Sequence, residues 1–551
     1  MAVPARDLDF DWLVVGSGFG GSVSACRLTE KGYRVGVLES GRRFTDRDFP
    51  RSTWDIRRYF FAPRMGLRGI FRLSLFKDVT IVSGAGVGGG SLGYANTLYR
   101  ARPRFYADSQ WADLDDWENA LAPFYDEAER MLGVTYVTAE DEGDKLLQAF
   151  GEHKGVQDTH AKTRVGVFYG EPGEEGKEVP DPYFGGEGPA RTGCTNCGRC
   201  MVGCPVGAKN TLPKNYLWFA ERGGAQVMPE REVTDVRPLG RGDGADGYAI
   251  TSQRTGAWVR MDRRTHTAHN VVLAAGPIGT NRLLQRCRLG GSLPRVSARL
   301  GRLVRTNSES ILAVTAPKDS GIDFSERVAI TSSIYPDPDT HIETVVYGKS
   351  GDSMNLLHTL LVGDGSRVTR PLKFLFAILR HPLTFARVCD PRGWSKRTII
   401  LLVMQTHDNA IKLVAHPTRF GGMRLQTGQD SDKPNPTFIP VANEAAEWIA
   451  ERIGGIAQSS ILEAVASIPT TAHILGGAVI ARSPEEGVVD DRHRVFGYEN
   501  LLVCDGSVVP ANVGVNPSLT ITALTERAMS FIPEAAELAG DSSEAKRPVP
   551  A

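Results

Sequence analysis

The sequence lacks the features of membrane-spanning, secreted and nucleic-acid-binding proteins. It has no uninterrupted apolar run near the roughly 20 residues of a spanning helix, and no basic region followed by an apolar stretch at its N-terminus. Lys and Arg together number 64, as do Asp and Glu, so the net charge is zero and no nucleic-acid partner is predicted. We therefore expect a cytoplasmic protein that contacts a membrane at most peripherally.

A disulfide framework is not expected either. Of the eight cysteines, four lie between residues 194 and 204, and the others are isolated at 26, 287, 389 and 504. The chain is also too long for one hydrophobic core, since 551 residues usually divide into more than one domain. We expect two interleaved domains in a reducing compartment.

A glycine-rich turn near the N-terminus has the form of a dinucleotide-binding site. An apolar strand leads into Gly16, which permits a tight turn, Gly18, which lets the backbone approach a pyrophosphate, and Gly21, which lets helix and strand pack closely. The next apolar strand ends at Glu39, the acidic position that accepts hydrogen bonds from an adenosine ribose. Strand, turn, helix, strand and acid together predict a bound dinucleotide.

A second glycine-rich loop favours FAD over NAD. It includes Gly84, Gly88, Gly89 and Ser91. A nicotinamide enzyme has no obvious need for such a loop, whereas a large planar flavin can use the close backbone approach that glycines allow.

Three blocks of the sequence resemble the glucose–methanol–choline (GMC) oxidoreductases, and the nearest resemblance is to the cholesterol oxidase branch of that family. The second glycine loop and its continuation to Asn96 resemble the flavin loop, and residues 273–284, with Gly276, resemble the second family signature. Residues 501–510 resemble the late strand whose acid and backbone contact the cofactor, which implies that Asp505 and Gly506 bind FAD. The matching blocks run from residue 11 to about 530.

The resemblance implies an α/β fold in which a Rossmann-like FAD-binding domain is interleaved with an α+β substrate domain built on an antiparallel sheet. We predict the FAD domain at 1–100, 205–291 and 481–535, and the substrate or cap domain at 101–204 and 292–480. The polar, proline-containing tail 536–551 is predicted to be disordered.

Oxidising an alcohol through a flavin removes a proton from the hydroxyl group and a hydride from the carbon, so a base and a hydrogen-bond donor must meet at the flavin. His473 precedes two glycines and the late FAD strand, and the resemblance makes it the active-site histidine. Asn516 matches the partner position, where an amide donates without titrating. Glu343 is the best positional match to a glutamate proposed as the base in the cholesterol oxidase branch, although its surrounding residues differ.

A cysteine cluster predicts a second redox centre. Cys194, Cys197, Cys200 and Cys204 have the C-x2-C-x2-C-x3-C-P spacing with which bacterial ferredoxins hold an iron–sulfur cluster. Short loops can turn three thiolates toward one cubane, and we favour a 4Fe-4S over a 3Fe-4S cluster.

Other interpretations of the cysteines stay open. The fourth ligand is either the last cysteine of the run or a remote one such as Cys287 or Cys389. Zinc fits poorly, because four-cysteine zinc sites usually split into two pairs separated by a longer loop. Free thiols in a packed loop are the remaining alternative.

Two stretches, residues 55–76 and 370–387, combine basic and apolar residues. They are interpreted either as surfaces that lie on an anionic membrane or as cap helices whose apolar faces close over the active site, and we favour the cap. Both interpretations imply an apolar substrate.

The sequence thus predicts an FAD-dependent alcohol dehydrogenase. Its substrate would be a hydrophobic alcohol, such as a sterol, steroid or long-chain alcohol, which loses a hydride to flavin N5. Electrons would leave through the iron–sulfur cluster to an external one-electron acceptor protein or a quinone. The first alternative is a cholesterol oxidase-type enzyme that uses dioxygen and has structural cysteines, and the second is a non-catalytic electron-transfer flavoprotein module.

Overall fold

The computed structural model describes residues 8–418, 422–431 and 433–536. Residues 537–551 of the tail predicted to be disordered lie outside this range. Within the described range, no helix is long and apolar enough to cross a membrane.

A first sheet of seven strands carries the N-terminal strand at its centre. Five of its strands are parallel, and three of them, Phe10–Val15, Val35–Leu38 and Leu501–Val503, are almost wholly buried, as their apolar sequences predict. Since parallel strands end at the same edge, Gly16, Glu39 and Cys504 all follow strands at one carboxyl edge, where open α/β sheets bind ligands. The strand order is Gln226–Met228, Val35–Leu38, Phe10–Val15, Arg264–Leu273, Tyr248–Arg254 and Arg231–Pro238, with Leu501–Val503 paired to the end of Arg264–Leu273.

A second sheet of seven strands is entirely antiparallel. Its strand Thr398–Gln405 is buried along its whole length and pairs with two neighbours, which explains the continuous apolar run in its sequence. The strand Thr340–Val345 places Glu343 opposite Leu402. The order is His358–Leu360, Ile456–Ser460, Ser310–Thr315, Thr398–Gln405, Thr340–Val345, Ile330–Asp337 and Ala161–Lys162.

The helices bury their apolar faces against the two sheets. Phe19–Glu30 and Ser518–Ser530 share the core of the first sheet, and Glu142–Lys154 and Pro440–Ile453 share the core of the second. The other helices are Ile56–Tyr59, Pro103–Tyr106, Trp117–Leu132, Tyr216–Arg222, Gly276–Leu289, Thr369–Arg380, Pro382–Val388, Trp394–Arg397 and Ile461–Ala466.

A small third sheet connects the two parts of the chain that matter for function. Thr80–Gly84 pairs with Phe71–Leu75 on one side and with the short strand Thr470–Thr471 on the other. Thr80–Gly84 leads directly into the second glycine loop, and Thr470–Thr471 leads to His473. The pairing therefore places that histidine beside the loop.

The predicted fold class is confirmed: a Rossmann-like parallel sheet is combined with an antiparallel sheet formed by residues of the predicted substrate domain. The exact domain boundaries stay a prediction.

Candidate active site

The first glycine turn has no room for side chains at two of its three glycines. Gly16 has φ +101°, and a Cβ atom there would lie 2.3 Å from the carbonyl oxygen of Ala274. A Cβ at Gly21 would lie 2.0 Å from the carbonyl oxygen of Gly16. The two glycines thus allow the strand and the helix to approach as closely as the sequence predicts.

The two glycine loops touch each other. A Cβ at Gly89 would lie 2.6 Å from Cα of Gly18, and the backbone N–H of Gly88 donates to Oγ of Ser17 at 3.1 Å. These contacts join a loop near residue 17 to one near residue 88, and both flank the carboxyl edge of the first sheet.

Other predicted loop residues hold the shape of the second loop. A Cβ at Gly84 would lie 2.4 Å from Cα of Gly90. The hydroxyl of Ser91 donates to the carbonyl of Gly88 at 2.7 Å and accepts from the N–H of Leu212 at 3.0 Å. Ser91 therefore ties the loop to the segment that begins the helix Tyr216–Arg222.

The two predicted acidic residues are buried and bind backbone groups. Glu39 accepts from the N–H and the hydroxyl of Ser17, at 3.1 and 2.8 Å, and from the N–H of Gly41 at 2.7 Å. Asp505 accepts from the N–H of Gly276 at 2.9 Å and from the hydroxyl of Thr280 at 2.6 Å. Each carboxylate fixes a turn at the carboxyl edge of the first sheet.

Gly506 connects the late strand to the catalytic segment. Its carbonyl oxygen accepts from the N–H of Gly476, at 2.8 Å, three residues after His473. The segment that carries Asp505 and Gly506 is thus hydrogen-bonded to the turn that follows His473.

The arrangement fits FAD. A Cβ at Gly18 would meet no atom within 4 Å, so this face of the turn is open. The helix Phe19–Glu30 begins there with no side-chain cap and no acidic residue in its first turn. Its uncapped N–H groups and positive dipole end favour a pyrophosphate.

Asn96 lies between the flavin loop and the cysteine segment. It is fully buried with φ +71°, and it lines the same cavity as the four cysteines. Neither atom of its amide has a hydrogen-bond partner among the described residues. The side chain is thus able to bind a further polar group.

The three predicted catalytic residues converge. The amide nitrogen of Asn516 lies 3.3 Å from Oε2 of Glu343 and 3.5 Å from Nε2 of His473. Oε1 of Glu343 and Oδ1 of Asn516 are buried and have no partner in the described part of the chain. Two oxygen atoms are therefore left for a bound molecule.

Glu309 is a fourth member of the site, and sequence reasoning missed it. Its carboxylate contacts Nδ1 of His473 and accepts from the N–H of Ala472 at 2.9 Å. Its side chain is fully buried. Glu309 therefore fixes both the ring and the backbone of the predicted active-site histidine.

Two residues earlier, Asn307 holds the opposite side of the site. Its side chain accepts from the N–H of Gly514 at 2.8 Å and donates to the carbonyl of Val515 at 3.0 Å. One short segment thus supports both the loop that carries Asn516 and the turn that carries His473.

The electrostatic environment raises the pKa of two groups of the site, Glu343 and His473. Burial raises the pKa of Glu343 to about 8, and the neighbouring His473 and Asn516 only partly oppose this effect. Burial by itself would lower the pKa of His473, but the Glu309 carboxylate outweighs it and raises that pKa. The Glu309 carboxylate therefore favours the protonated form of His473, whereas burial favours the neutral form of Glu343.

A cluster of three rings, those of His341, Tyr335 and Tyr99, includes the residue two positions before Glu343. The ring of His341 stacks on Tyr335 with centroids 4.6 Å apart and meets Tyr99 edge-on at 5.2 Å. Burial, together with the charges of Arg102 and His473, lowers the pKa of His341 to about 3, so its ring is neutral. These residues give the site an uncharged wall that no sequence motif indicated.

The four cysteines line one cavity of about 10 Å³, which is close to the space that one water molecule needs. Burial raises the pKa of Cys200 to about 11 and that of Cys194 further. Among residues 8–418, 422–431 and 433–536, no group of three or more His, Cys, Asp or Glu residues is arranged to hold a metal ion. The predicted iron–sulfur cluster is therefore not supported.

The buried side chain of Lys209 lines the same cavity as the four cysteines. Nζ of Lys209 donates to the carbonyls of Leu92, Tyr94 and Cys200 at 3.0, 2.8 and 2.9 Å. The cysteine segment is thus bound directly to the end of the flavin loop by a lysine.

Sequence comparisons agree with this architecture. Two family models described as GMC oxidoreductase match residues 190–302 and 405–525, and a model of an NAD(P)-binding Rossmann-like domain matches residues 14–50. A cholesterol oxidase of Mycobacterium tuberculosis is 50% identical over 536 residues, which cover 96% of this chain and 92% of the relative. The chain belongs to the GMC oxidoreductase family.

A second relative and a solved structure extend the comparison. A cholesterol oxidase of Acinetobacter baumannii is 48% identical over 531 residues, covering 96% of this chain and 95% of the relative. The crystal structure of pyridoxine 4-oxidase from Mesorbium loti has a TM-score of 0.60 at 15% identity and covers 95% of this chain and 99% of that one, which shows a shared fold. As a GMC oxidoreductase, the protein is an FAD-dependent enzyme that acts on CH–OH groups.

The open face at Gly18 gives a first prediction. Gly18→Ala should leave the melting temperature of the apoprotein unchanged, because the added Cβ meets no atom within 4 Å. It should weaken FAD binding about tenfold, because the methyl group blocks the close approach of backbone to pyrophosphate. Calorimetric titration of apoprotein with FAD measures this, with Gly363→Ala, also in open space, as the control. Equal FAD affinity in both variants would contradict it.

Glu309 gives a second prediction. Glu309→Gln should lower the pKa of His473, because the carboxylate that favours the imidazolium is removed. NMR titration of the labelled histidine measures the change. Glu463→Gln is the matched control, since this buried carboxylate binds Ser310 rather than the histidine. An equal fall in both variants would show that the effect is merely structural.

Glu343 gives a third prediction. A base must be ionised, so kcat/KM of the wild type should rise with pH until it levels off above about 8, the pKa of Glu343. Glu343→Gln should lower kcat about 10²- to 10⁴-fold and abolish this pH dependence. A variant that keeps the wild-type pH profile would exclude Glu343 as the base.

Proposed function

We propose that this protein oxidises the hydroxyl group of a sterol, or of a similarly hydrophobic alcohol, to a carbonyl, and that dioxygen is the final electron acceptor. The observation that carries the proposal is the convergence of Glu343, Asn516 and His473 beside the two glycine loops. The two relatives that are about half identical over nearly the whole chain are both named cholesterol oxidase. FAD, when bound, supplies the acceptor for the hydride.

In this proposal Glu343 removes the proton of the alcohol. Its free Oε1 is buried, and its pKa of about 8 lies close to the operating pH, as a general base requires. Before the geometry is considered, His473 is the natural candidate for this step. However, its ion pair with Glu309 favours the protonated ring, which suits a hydrogen-bond donor better than a base.

His473 and Asn516 would orient the substrate oxygen. The protonated ring presents an N–H at Nε2, and the amide of Asn516 lies between that atom and the carboxylate of Glu343. A hydroxyl group held by these donors would keep its proton directed at Oε1 of Glu343. The arrangement has a donor for the oxygen and an acceptor for its proton.

The uncharged rings of His341, Tyr335 and Tyr99 favour a hydrophobic substrate. His341 is neutral and packs against Tyr335 and Tyr99, so the rings beside Glu343 carry no charge. The charged residue that packs on this group is Arg102, whose guanidinium lies 4.0 Å from the ring centroid of Tyr335. A fused-ring alcohol would lose little hydration energy on entering such a site, whereas a sugar would lose its hydrogen bonds to water.

The proposal is tested with the purified holoenzyme. Cholesterol and a soluble steroid alcohol, with glucose as the control, are mixed with it without oxygen, and bleaching of the flavin absorption is followed. Oxygen is then admitted, and its consumption is compared with the reduction of a one-electron dye. We expect bleaching by the sterols only, followed by rapid consumption of oxygen.

Two results would overturn parts of the proposal. If no hydrophobic alcohol bleaches the flavin and His473→Ala changes no measured property, a non-catalytic electron-transfer module becomes the better explanation. If the holoenzyme contains stoichiometric iron and acid-labile sulfide and reduces the dye much faster than oxygen, electrons leave by the iron–sulfur route that the sequence predicts.

A further inference from the structure

Two consecutive helices, Thr369–Arg380 and Pro382–Val388, present an apolar stripe to the outside of the molecule. The side chains that form it recur at helical spacing, so they lie on one face. All are more than half exposed: Val368 at 71%, Leu372 at 60%, Leu375 at 53%, Phe376 at 63%, Leu379 at 72% and Leu383 at 76%. We refer to residues 368–388 as the exposed helix pair.

This exposure is the opposite of what the cap interpretation predicts. Apolar side chains that closed over an active site would be buried against it, but the only buried residue of the helix Thr369–Arg380 is Arg370. The helix thus turns a basic residue inward and its large apolar side chains outward. Such an arrangement is unfavourable in water unless another apolar phase covers it.

The charges carried by the exposed helix pair itself have one sign. Residues 365–389 contain no acidic side chain, and Arg367, Lys373, Arg380 and Arg387 are all exposed. A second copy of this surface would place these positive charges against each other, so self-association is disfavoured. An anionic surface with an apolar interior satisfies both the charges and the stripe.

Further exposed apolar residues continue the surface. Leu356 and Leu357 are 58% and 46% exposed, and they follow Asn355, whose amide donates to the carbonyl of Val388 at 2.8 Å. At the other end of the pair, Arg367 binds Asp78 at 2.8 Å, and Leu75, three residues before Asp78 in the chain, is 71% exposed. The apolar surface is therefore wider than one helix.

The exposed helix pair is held firmly from its inner side. The guanidinium of Arg370 donates to the carbonyl of Thr437 and lies 3.7 Å from the buried carboxylate of Glu463. The same carboxylate accepts from the hydroxyl of Ser310 at 3.4 Å. Ser310 follows Glu309, the residue that fixes His473, so the surface is anchored next to the candidate active site.

We propose that the exposed helix pair docks this protein on an anionic lipid bilayer, with the apolar stripe inserted at the level of the headgroups and the flanking arginines and lysine against lipid phosphates. Docking would place the lipid phase beside the segment that carries His473. An apolar substrate dissolved in the bilayer could then reach the enzyme without crossing water. The docking itself does not depend on the substrate or on the electron acceptor.

The test is sedimentation of the holoenzyme with vesicles in the absence of substrate. One set of vesicles is phosphatidylcholine, and the other is phosphatidylcholine mixed with phosphatidylglycerol. We expect binding to the anionic set to be about tenfold tighter or more, and to weaken as salt is added.

Variants separate the two parts of the surface. Leu375→Asp with Leu379→Asp should lower binding to both kinds of vesicle about tenfold or more, because the apolar stripe is lost. Lys373→Gln with Arg380→Gln should lower binding to the anionic vesicles only. Leu289→Asp is the matched control, since this leucine is 56% exposed at the end of another helix, and it should bind as the wild type does.

Thermal unfolding of each variant confirms that it folds, and this is expected because every changed side chain is exposed. The proposal is overturned if the wild type does not sediment with anionic vesicles, or if the stripe variant binds as well as Leu289→Asp. It is also overturned if sedimentation velocity shows a wild-type dimer that the stripe variant abolishes while vesicles are not bound. The surface would then be an interface between copies of the chain.

Discussion

The site depends on the buried segment between Arg305 and Glu309, which holds two distant parts of the chain together. Asn307 binds the backbone at residues 514 and 515, and Glu309 binds the backbone and ring of the turn at His473. Because buried polar groups must be paired, moving either part would leave several of these groups unsatisfied. Asn307 and Ser308 both have positive φ, at 58° and 48°, so backbone strain of about 1–3 kcal/mol each is retained where the site is built.

Two glutamates of the same site receive opposite properties from their surroundings. Glu309 forms an ion pair with His473, whereas the hydrogen-bond partner of Glu343 is the neutral amide of Asn516. Desolvation therefore dominates at Glu343 and ion pairing dominates at the histidine. The site therefore combines a carboxyl group whose pKa is raised by burial with a histidine whose protonated form is favoured by a neighbouring carboxylate.

In the cysteine segment, the spacing along the sequence and the cavity in the folded protein lead to different conclusions. Its pattern is that of a ferredoxin, yet in the folded chain the four thiols surround a space of about 10 Å³ and a buried lysine binds the backbone beside them. The spacing of cysteines along the chain predicts which thiols can lie close together. The volume of the cavity between the thiols depends instead on the residues that the rest of the fold packs around them. Lys209 connects this segment to the carbonyls of Leu92 and Tyr94, so its packing is coupled to the flavin loop.

The sequence by itself determined the glycine turn and the strands and helix around it, because these follow from local periodicity and from glycines at positions where no Cβ fits. The antiparallel second sheet was implied by the resemblance to GMC oxidoreductases. The resemblance to GMC oxidoreductases indicated His473, Asn516 and Glu343, and the structure brings them together. Glu309 could not be found in this way, since it contacts a residue 164 positions away and lies in no motif. The helices at 369–388 have the same amphipathic pattern whether their apolar face is buried or exposed, so only the tertiary structure decided which face meets solvent.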